Sequence, residues 1–413
     1  MRDSNIPEGY KTSPLGVIPS DWSIKELGEV SIIKGDYGIN AASVEYSNHL
    51  PTYLRITDID EDGEFLGQDK KSVDDLNAEK YILEDEDIVF ARTGATVGKT
   101  YLHNKAKDGE LVFAGFLIRF RTDKNTLLPF YLKSFTATKL YWDWVKRVSM
   151  RSGQPGINST EYCALKIPIP PIQEQESIEV VFRLIEESIQ KINQLISKKE
   201  LQKKALMQQL LSGKKRLKGF DGEWKKVGAG EIFKSVSKKG FDDEELLSAT
   251  QDNGIIPRSM LPARVTMPTG DRLSFKLVEK GDFVISLRSF QGGLEYSYYR
   301  GIVSPAYTVL KPKRKINDEF YKQYYKSYDF IGHLATAVVG IRDGKQISYD
   351  DYCMVKIPYP SFEEQSAIAN VLQAADTEIA VLKAKGEKLK QQKKGMMQLL
   401  LTGKKRLKLT GEN

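Results

Sequence analysis

Cysteine, histidine and long apolar runs are all scarce in this 413-residue chain. Its two cysteines, Cys163 and Cys353, are too few for a disulfide scaffold, and a buried structural thiol is the expected role of each. The three histidines, His49, His103 and His333, are scattered, with no CxxC or HExxH spacing, which argues against a metal site. No stretch approaches the ~20 apolar residues of a membrane-spanning helix. The opening MRDSNIPEGYKTSPLG lacks the apolar core of a secretory signal, so a cytoplasmic protein is expected. Catalytic signatures are missing as well. GATVGKT (94–100) suggests a phosphate-binding loop, but Thr93 stands where that pattern needs its first glycine. There is no GxSxG, no kinase signature and no GxGxxG after a strand. IPIPPI (167–172) lacks the polar residue with which an Asn/Asp-Pro-Pro-aromatic motif would hold an amine. A non-catalytic chain is expected.

The chain does contain a long internal repeat. Residues 163–218 and 353–408 align without a gap and agree far beyond chance. CALKIPIPPIQEQ (163–175) matches CMVKIPYPSFEEQ (353–365), and LLSGKKRLK (210–218) matches LLTGKKRLK (400–408). After the Pro-punctuated opening, each copy becomes a proline-free stretch whose apolar residues alternate at spacings of four and three. In the first they are Ile178, Phe182, Ile185, Ile189, Ile192 and Ile196; in the second Ile368, Leu372, Ala375, Ile379, Leu382 and, past the interrupting Gly386, Leu389. This is a heptad seam, and it predicts two helices of about 40 residues, ~60 Å each at 1.5 Å per residue. So narrow a stripe does not support a lone helix, so an antiparallel coiled coil is expected; two helices buried separately are the plainer alternative. Lys199, Lys203, Lys393 and Gly386 interrupt the seam, so part of it is weak or meets something polar. Ser361 and Glu364 have capping-box spacing, and Gly213 and Gly403 sit where a C′ glycine ends a helix.

The segments between the helices start and end alike: DWSIKELGEV (21–30) resembles EWKKVGAGEI (223–232), and GINSTEYC (156–163) resembles QISYDDYC (346–353). In between they diverge. Short β-rich runs such as DIVFAR, GFLIRFR, DFVISLR and YTVLKP are separated by Gly, Asp and Pro, and residues 130–148 and 320–335 read as helices. The fold class is therefore α+β: two mixed α/β domains separated by two long helices, in a pseudo-twofold internal repeat. The boundaries are 1–162, 163–218, 219–352 and 353–413.

A net charge of +7 and a pI near 8.9 suit an anionic partner without requiring one. The loops mix basic, amide and aromatic residues, the types that reach phosphates and base edges. In the first globule the candidates are Arg92, Thr93, Lys99, Arg147, Arg151, Ser152 and Gln154. In the second they are Arg288, Ser289, Gln291, Tyr298, Arg300, Arg342, Lys345 and Gln346. For any one of them an ordinary surface residue is the blander account.

The double CALKIPIPPIQEQ/CMVKIPYPSFEEQ segments, the helices closing on GKKRLK, and the LGVIPSDW and GFDGEW openings resemble one family closely: the specificity subunit of type I restriction–modification enzymes. The resemblance covers nearly the whole chain. It implies two target-recognition domains, each reading half of a bipartite double-stranded DNA target, held apart by an antiparallel coiled coil. It also implies two modification subunits docked on residues 163–218 and 353–410, with restriction subunits joining a larger complex. This chain then has no cofactor of its own; S-adenosylmethionine, ATP and Mg2+ are expected in partner subunits. RTGATVG and RSGQPGINS match segments common in such recognition domains, whereas the second globule departs with LRSFQGG and GIRDGKQIS. A coiled-coil scaffold joining proteins without DNA is the competing reading.

Overall fold

The computed structural model describes residues 6–150, 154–261, 272–287, 289–337 and 347–407. It forms two compact units, Met1–Lys191 with Lys385–Asn413, and Ile192–Ala384. These divisions cut across the boundaries read from the sequence, because each long helix contributes one half to each unit. The helices are Ile172–Leu210 and Phe362–Leu400, 39 residues apiece.

In the first unit, Ser31–Tyr37, Leu117–Thr122, Ile88–Ala91 and Thr100–Leu102 form an antiparallel sheet in that spatial order. A second, mixed sheet runs Leu111–Phe113, Thr52–Leu54, Lys71–Val73, Ser43–Glu45. Strand Ile88–Ala91 is apolar on both faces because it serves two cores. Ile88 and Phe90 join one apolar cluster, Val89 and Ala91 the other, the two-residue period of a strand covered on both sides. The second unit repeats the device. Its sheet runs Phe233–Val236, Thr308–Pro312, Phe283–Ile285, Glu295–Tyr296, with Phe283 and Ile285 in one core and Val284 in another.

The expected helix over 130–148 is broken into Pro129–Phe135 and Lys139–Val148. Its counterpart is broken into Asp318–Tyr325 and Tyr328–Ala337. Hydroxyls cause both breaks. Thr138 accepts from Tyr141 N at 3.3 Å and starts a new helix, and Ser327 accepts from Phe330 N at 3.3 Å. The two thiols are unpaired but only half-buried rather than interior, and burial pushes the Cys163 thiol up.

Each unit packs the start of one long helix against the end of the other. In the first, Ile178 and Phe182 share a core with Met397, Leu400 and Leu401, and Lys393 meets Glu186 at 2.5 Å. In the second, Leu206 and Leu210 pack with Ile368 and Leu372. There Lys199 meets Glu378 and Lys203 meets Asp376, the falling numbers of an antiparallel pair. The lysines that interrupt the apolar seam thus face carboxylates. Ile178, Phe182, Ile368, Leu372 and Ile379 are buried; Ile185, Ile189, Ile192, Ile196, Leu382 and Leu389 are partly buried. Val180, Leu184, Leu201 and Val381, off the seam, are exposed.

The helix ends are fastened by a triad that occurs once in each unit. Glu174, 1% exposed, accepts from Trp22 Nε1 at 3.0 Å and from the Arg406 guanidinium at 2.6 and 3.1 Å. Glu364, 2% exposed, accepts from Trp224 Nε1 at 3.0 Å and from Arg216 at 2.6 and 2.7 Å. Each arginine belongs to a GKKRLK tail, and each glutamate to the first turn of the other long helix. Gly213 and Gly403, at φ 73° and 70°, turn the chain so that these arginines come back. The expected capping box at 361–364 is accordingly half made. Ser361 accepts from Glu364 N at 3.2 Å, but the Glu364 side chain goes to the triad. Beside each glutamate a buried glutamine latches the globule. Gln175 accepts from Leu128 N and donates to Pro170 O; Gln365 accepts from Asn317 N and donates to Pro360 O.

Arg216→Ala strands the Glu364 carboxylate in the interior. Removing one partner of a fully buried pair costs about 3–5 kcal/mol. Arg216 keeps some solvent contact, so a loss of about 2 kcal/mol is expected, read as a lower urea midpoint, with Arg216→Ala/Glu364→Gln recovering part of it.

Candidate nucleic-acid interface

In the first unit four separate segments converge at one end of the sheet. Arg92, directly after the buried strand Ile88–Ala91, is held by its backbone: its N–H donates to Phe116 O at 3.0 Å and its carbonyl accepts from Ile157 N at 2.9 Å. Gly94 N donates to Pro155 O at 3.0 Å, and Thr93 bridges Gly156. The Gln154 amide lies where a Cβ on Gly94 would be 3.0 Å away. Next to it runs the turn after strand Ser31–Tyr37. Its Gly38 admits no side chain, since a Cβ would lie 2.3 Å from the carbonyl oxygens of Phe113 and Ala114. This close approach brings Tyr37 and Asn40 to the same surface as Phe116. Tyr37 and Phe116 are 40% and 56% exposed, and the Arg92 guanidinium lies 4.7 Å from the Tyr37 ring centre. A cation, amides and two open aromatic rings on rigid turns suit base edges and stacking.

Of the residues marked out by sequence, Arg92, Thr93 and Gln154 come together here. Tyr37, Asn40 and Phe116 were missed. The only signal they carry is a Gly-flanked aromatic at a strand end, as in DYGIN and AGF.

The other candidates are placed differently. The Lys99 ammonium is taken by Glu61 at 2.7 Å. Arg147 is exposed on helix Lys139–Val148 and lines a cavity of about 290 Å³ with Pro14, Leu15, Trp144 and Lys166. Ser289 is buried, its hydroxyl accepting from Ser286 N at 2.8 Å as a turn-former. Arg300 pairs with Glu244 at 2.7 Å and Glu279 at 3.1 Å, so its charge is already met. Tyr298, 41% exposed, is held by Lys322, whose Nζ donates to its hydroxyl and sits 5.0 Å from its ring centre. Arg151, Ser152, Arg288, Arg342, Lys345 and Gln346, and the side chain of Gln291, lie outside the described residues.

In the second unit an unforeseen basic group forms where Gly240 N donates to Leu273 O and Leu277 N donates to Lys238 O. Lys238 and Lys239 are exposed there. Lys276 donates to Tyr307 O at 2.5 Å, and burial, then the Lys239 charge, hold its ammonium below the usual lysine range. An approaching phosphate would relieve the repulsion between the two lysines. Elsewhere in this unit, Lys326 ties three segments together. It donates to Glu295 at 2.7 Å, to Gly292 O at 2.9 Å and to Gln251 O at 3.2 Å.

The chain matches the type I restriction modification DNA specificity domain twice, over residues 19–218 and 221–391, and belongs to that family. It is a DNA-recognition subunit with two such domains. It is similar along its length to the putative type I restriction enzyme MjaX specificity subunit of Methanocaldococcus jannaschii, with 27% identity over 97% of each chain. The MjaVIII specificity subunit of the same organism is 25% identical over 95% of this chain and 94% of its own. Among solved structures, the HsdS subunit from Thermoanaerobacter tengcongensis shares the fold, at a TM-score of 0.51 and 17% identity, covering 94% of this chain and 98% of that one. A chain solved in work on complex assembly and conformational transition of the type I R-M system does so at 0.57 and 17%, covering 94% and 99%. Among the described residues no helix is long and apolar enough to cross a membrane.

Burial pushes the Glu295 carboxyl up to about 7, against 4.5 ordinarily. Between those values the folded form holds a proton that the unfolded form has lost, so stability falls as pH rises through that window. Glu295→Gln should flatten this part of the profile of unfolding midpoint against pH.

Proposed function

We propose that each globule reads one half of a split target on double-stranded DNA, and that the paired long helices act as a coiled-coil spacer setting the gap. The carrying observation is that two copies of one frame, each with its Trp–Glu–Arg triad and latching glutamine, hold globules whose surface loops differ. A constant frame with variable loops suits recognition of two unlike half-sites. The arginines of the GKKRLK tails serve the frame, and the exposed Lys214, Lys215, Lys404 and Lys405 beside them are left for partners. Two equivalent surfaces suit two copies of a modification subunit, with restriction subunits joining the larger complex. S-adenosylmethionine, ATP and Mg2+ then act in those partners, and this chain alone neither methylates nor cleaves. We place the reading domains at about 20–160 and 222–350, and the spacer and docking surface at 163–218 and 353–410, in the cytoplasm. A scaffold without DNA contact is disfavoured by the family to which the chain belongs.

Inserting four residues after Ile196 and four at the facing position of the second helix, after Leu382, lengthens the spacer by ~6 Å. The gap in the methylated motif, read by methylome sequencing, should grow by one to two base pairs at ~3.4 Å each with both half-sites unchanged. An unaltered gap would count against the spacer. Exchanging residues 20–160 for those of a relative should change one half-site only.

A further inference from the structure

Arg92 stands apart from the other arginines around the first globule's sheets. Arg55 pairs with Asp58, Arg119 with Asp36, and Arg121 with Asp87 and Glu84, while Lys99 is held by Glu61. Arg92 has no carboxylate partner among the described residues. Its side chain instead lies over the exposed Tyr37 ring, 4.7 Å from centroid to guanidinium carbon, and its backbone is fixed on both sides by Phe116 and Ile157. This contact uses none of the guanidinium N–H donors, and no acceptor among the described residues takes them. A planar fork of N–H groups held open on a rigid turn needs two adjacent acceptors in one plane. In the major groove only guanine presents such a pair, O6 with N7.

We propose that Arg92 reads a guanine in the half-site taken by the N-terminal globule, with the Tyr37 ring as the platform that sets the plane of its fork. The inference rests on the reading of the chain as a DNA-recognition subunit and deepens it to one residue and one base. A phosphate would satisfy the same fork, but a phosphate contact weakens binding to all sequences alike and relaxes no position.

The test is methylome sequencing of cells carrying the complete system with the wild-type chain, with Arg92→Lys and with Arg92→Ala. Exchange of residues 20–160 first assigns the half-sites to their globules. The wild-type half-site of the first globule should contain a G·C pair. Arg92→Lys keeps the charge but gives up the rigid planar fork, so it should lower the preference for that pair, and Arg92→Ala, which removes every donor, should lower it roughly tenfold or more, each leaving the second half-site and the gap intact. Tyr37→Leu, which removes the ring beside the guanidinium, should weaken the preference at that same position and at no other. Should Arg92→Ala fail to fold, Arg92→Lys carries the measurement. A first half-site without any G·C pair overturns the inference. So does a motif indifferent to Arg92→Lys, or a uniform fall in methylation at every position, the mark of a phosphate contact; in these cases the DNA-recognition reading stands. Absence of any split motif that depends on the wild-type chain overturns both.

Discussion

Much of the structure depends on where two buried carboxylates find their counter-charge. Glu174 and Glu364 sit in the first turns of the long helices, almost without solvent, and an isolated carboxylate there would be expensive. Each is met by an indole N–H from the start of its own globule and by a guanidinium from the tail of the other long helix. One side chain therefore ties a globule to a helix start and to a helix end. Displacing any of the three elements leaves a charge or a donor unmatched, so the junction tolerates little rotation. The heptad seam adds length and apolar area, but it is a narrow stripe shared with lysine–carboxylate pairs, and its ends are positioned by these triads.

With the frame held this way, the globules are free to diverge where they do not touch it. Both keep a central strand that serves two cores, IVFA in one and FVI in the other, and both keep a tyrosine hydroxyl bonded to a proline carbonyl, Tyr131 to Pro168 and Tyr321 to Pro358. The turns at the sheet ends share little. One presents Tyr37, Arg92 and Phe116, the other Lys238, Lys239 and Lys276. The difference reaches the sheets as well: the first unit's mixed sheet has four strands, where the second has two-stranded pairs. The frame that both share lets the turns vary without loss of the scaffold.

The long helices were legible because their signal is periodic and written twice: Ile178, Phe182, Ile368 and Leu372 fall in register in both copies, and Gly213 and Gly403 mark both ends. The α+β character was legible from short apolar runs between turn residues. The helix breaks near Thr138 and Ser327 were not, because a single hydroxyl overrides an otherwise helical pattern. The role of the repeated arginines was hidden too. GKKRLK reads as a basic patch, and only the return of the chain after glycine sets one of its charges against a buried carboxylate. For the site, Lys99 and Arg300 have the right chemistry, but their partners, Glu61 and Glu244, lie 38 and 56 residues away in sequence. Exposure of Tyr37 and Phe116 depends on turns meeting from distant strands, which no local pattern encodes.

Because one compact unit is the unbroken stretch Ile192–Ala384 while the other needs Lys385–Asn413 to return to its amino-terminal part, the two mature in an order opposite to their synthesis. On the ribosome the first globule emerges early, yet Trp22 and Glu174 wait for Arg406, 232 residues beyond Glu174. The second globule has Trp224, Arg216 and Glu364 in hand well before then. A nascent chain stalled after its second globule would thus carry one finished half and one half still holding an unneutralised interior acid, a natural point of attack for proteolytic quality control.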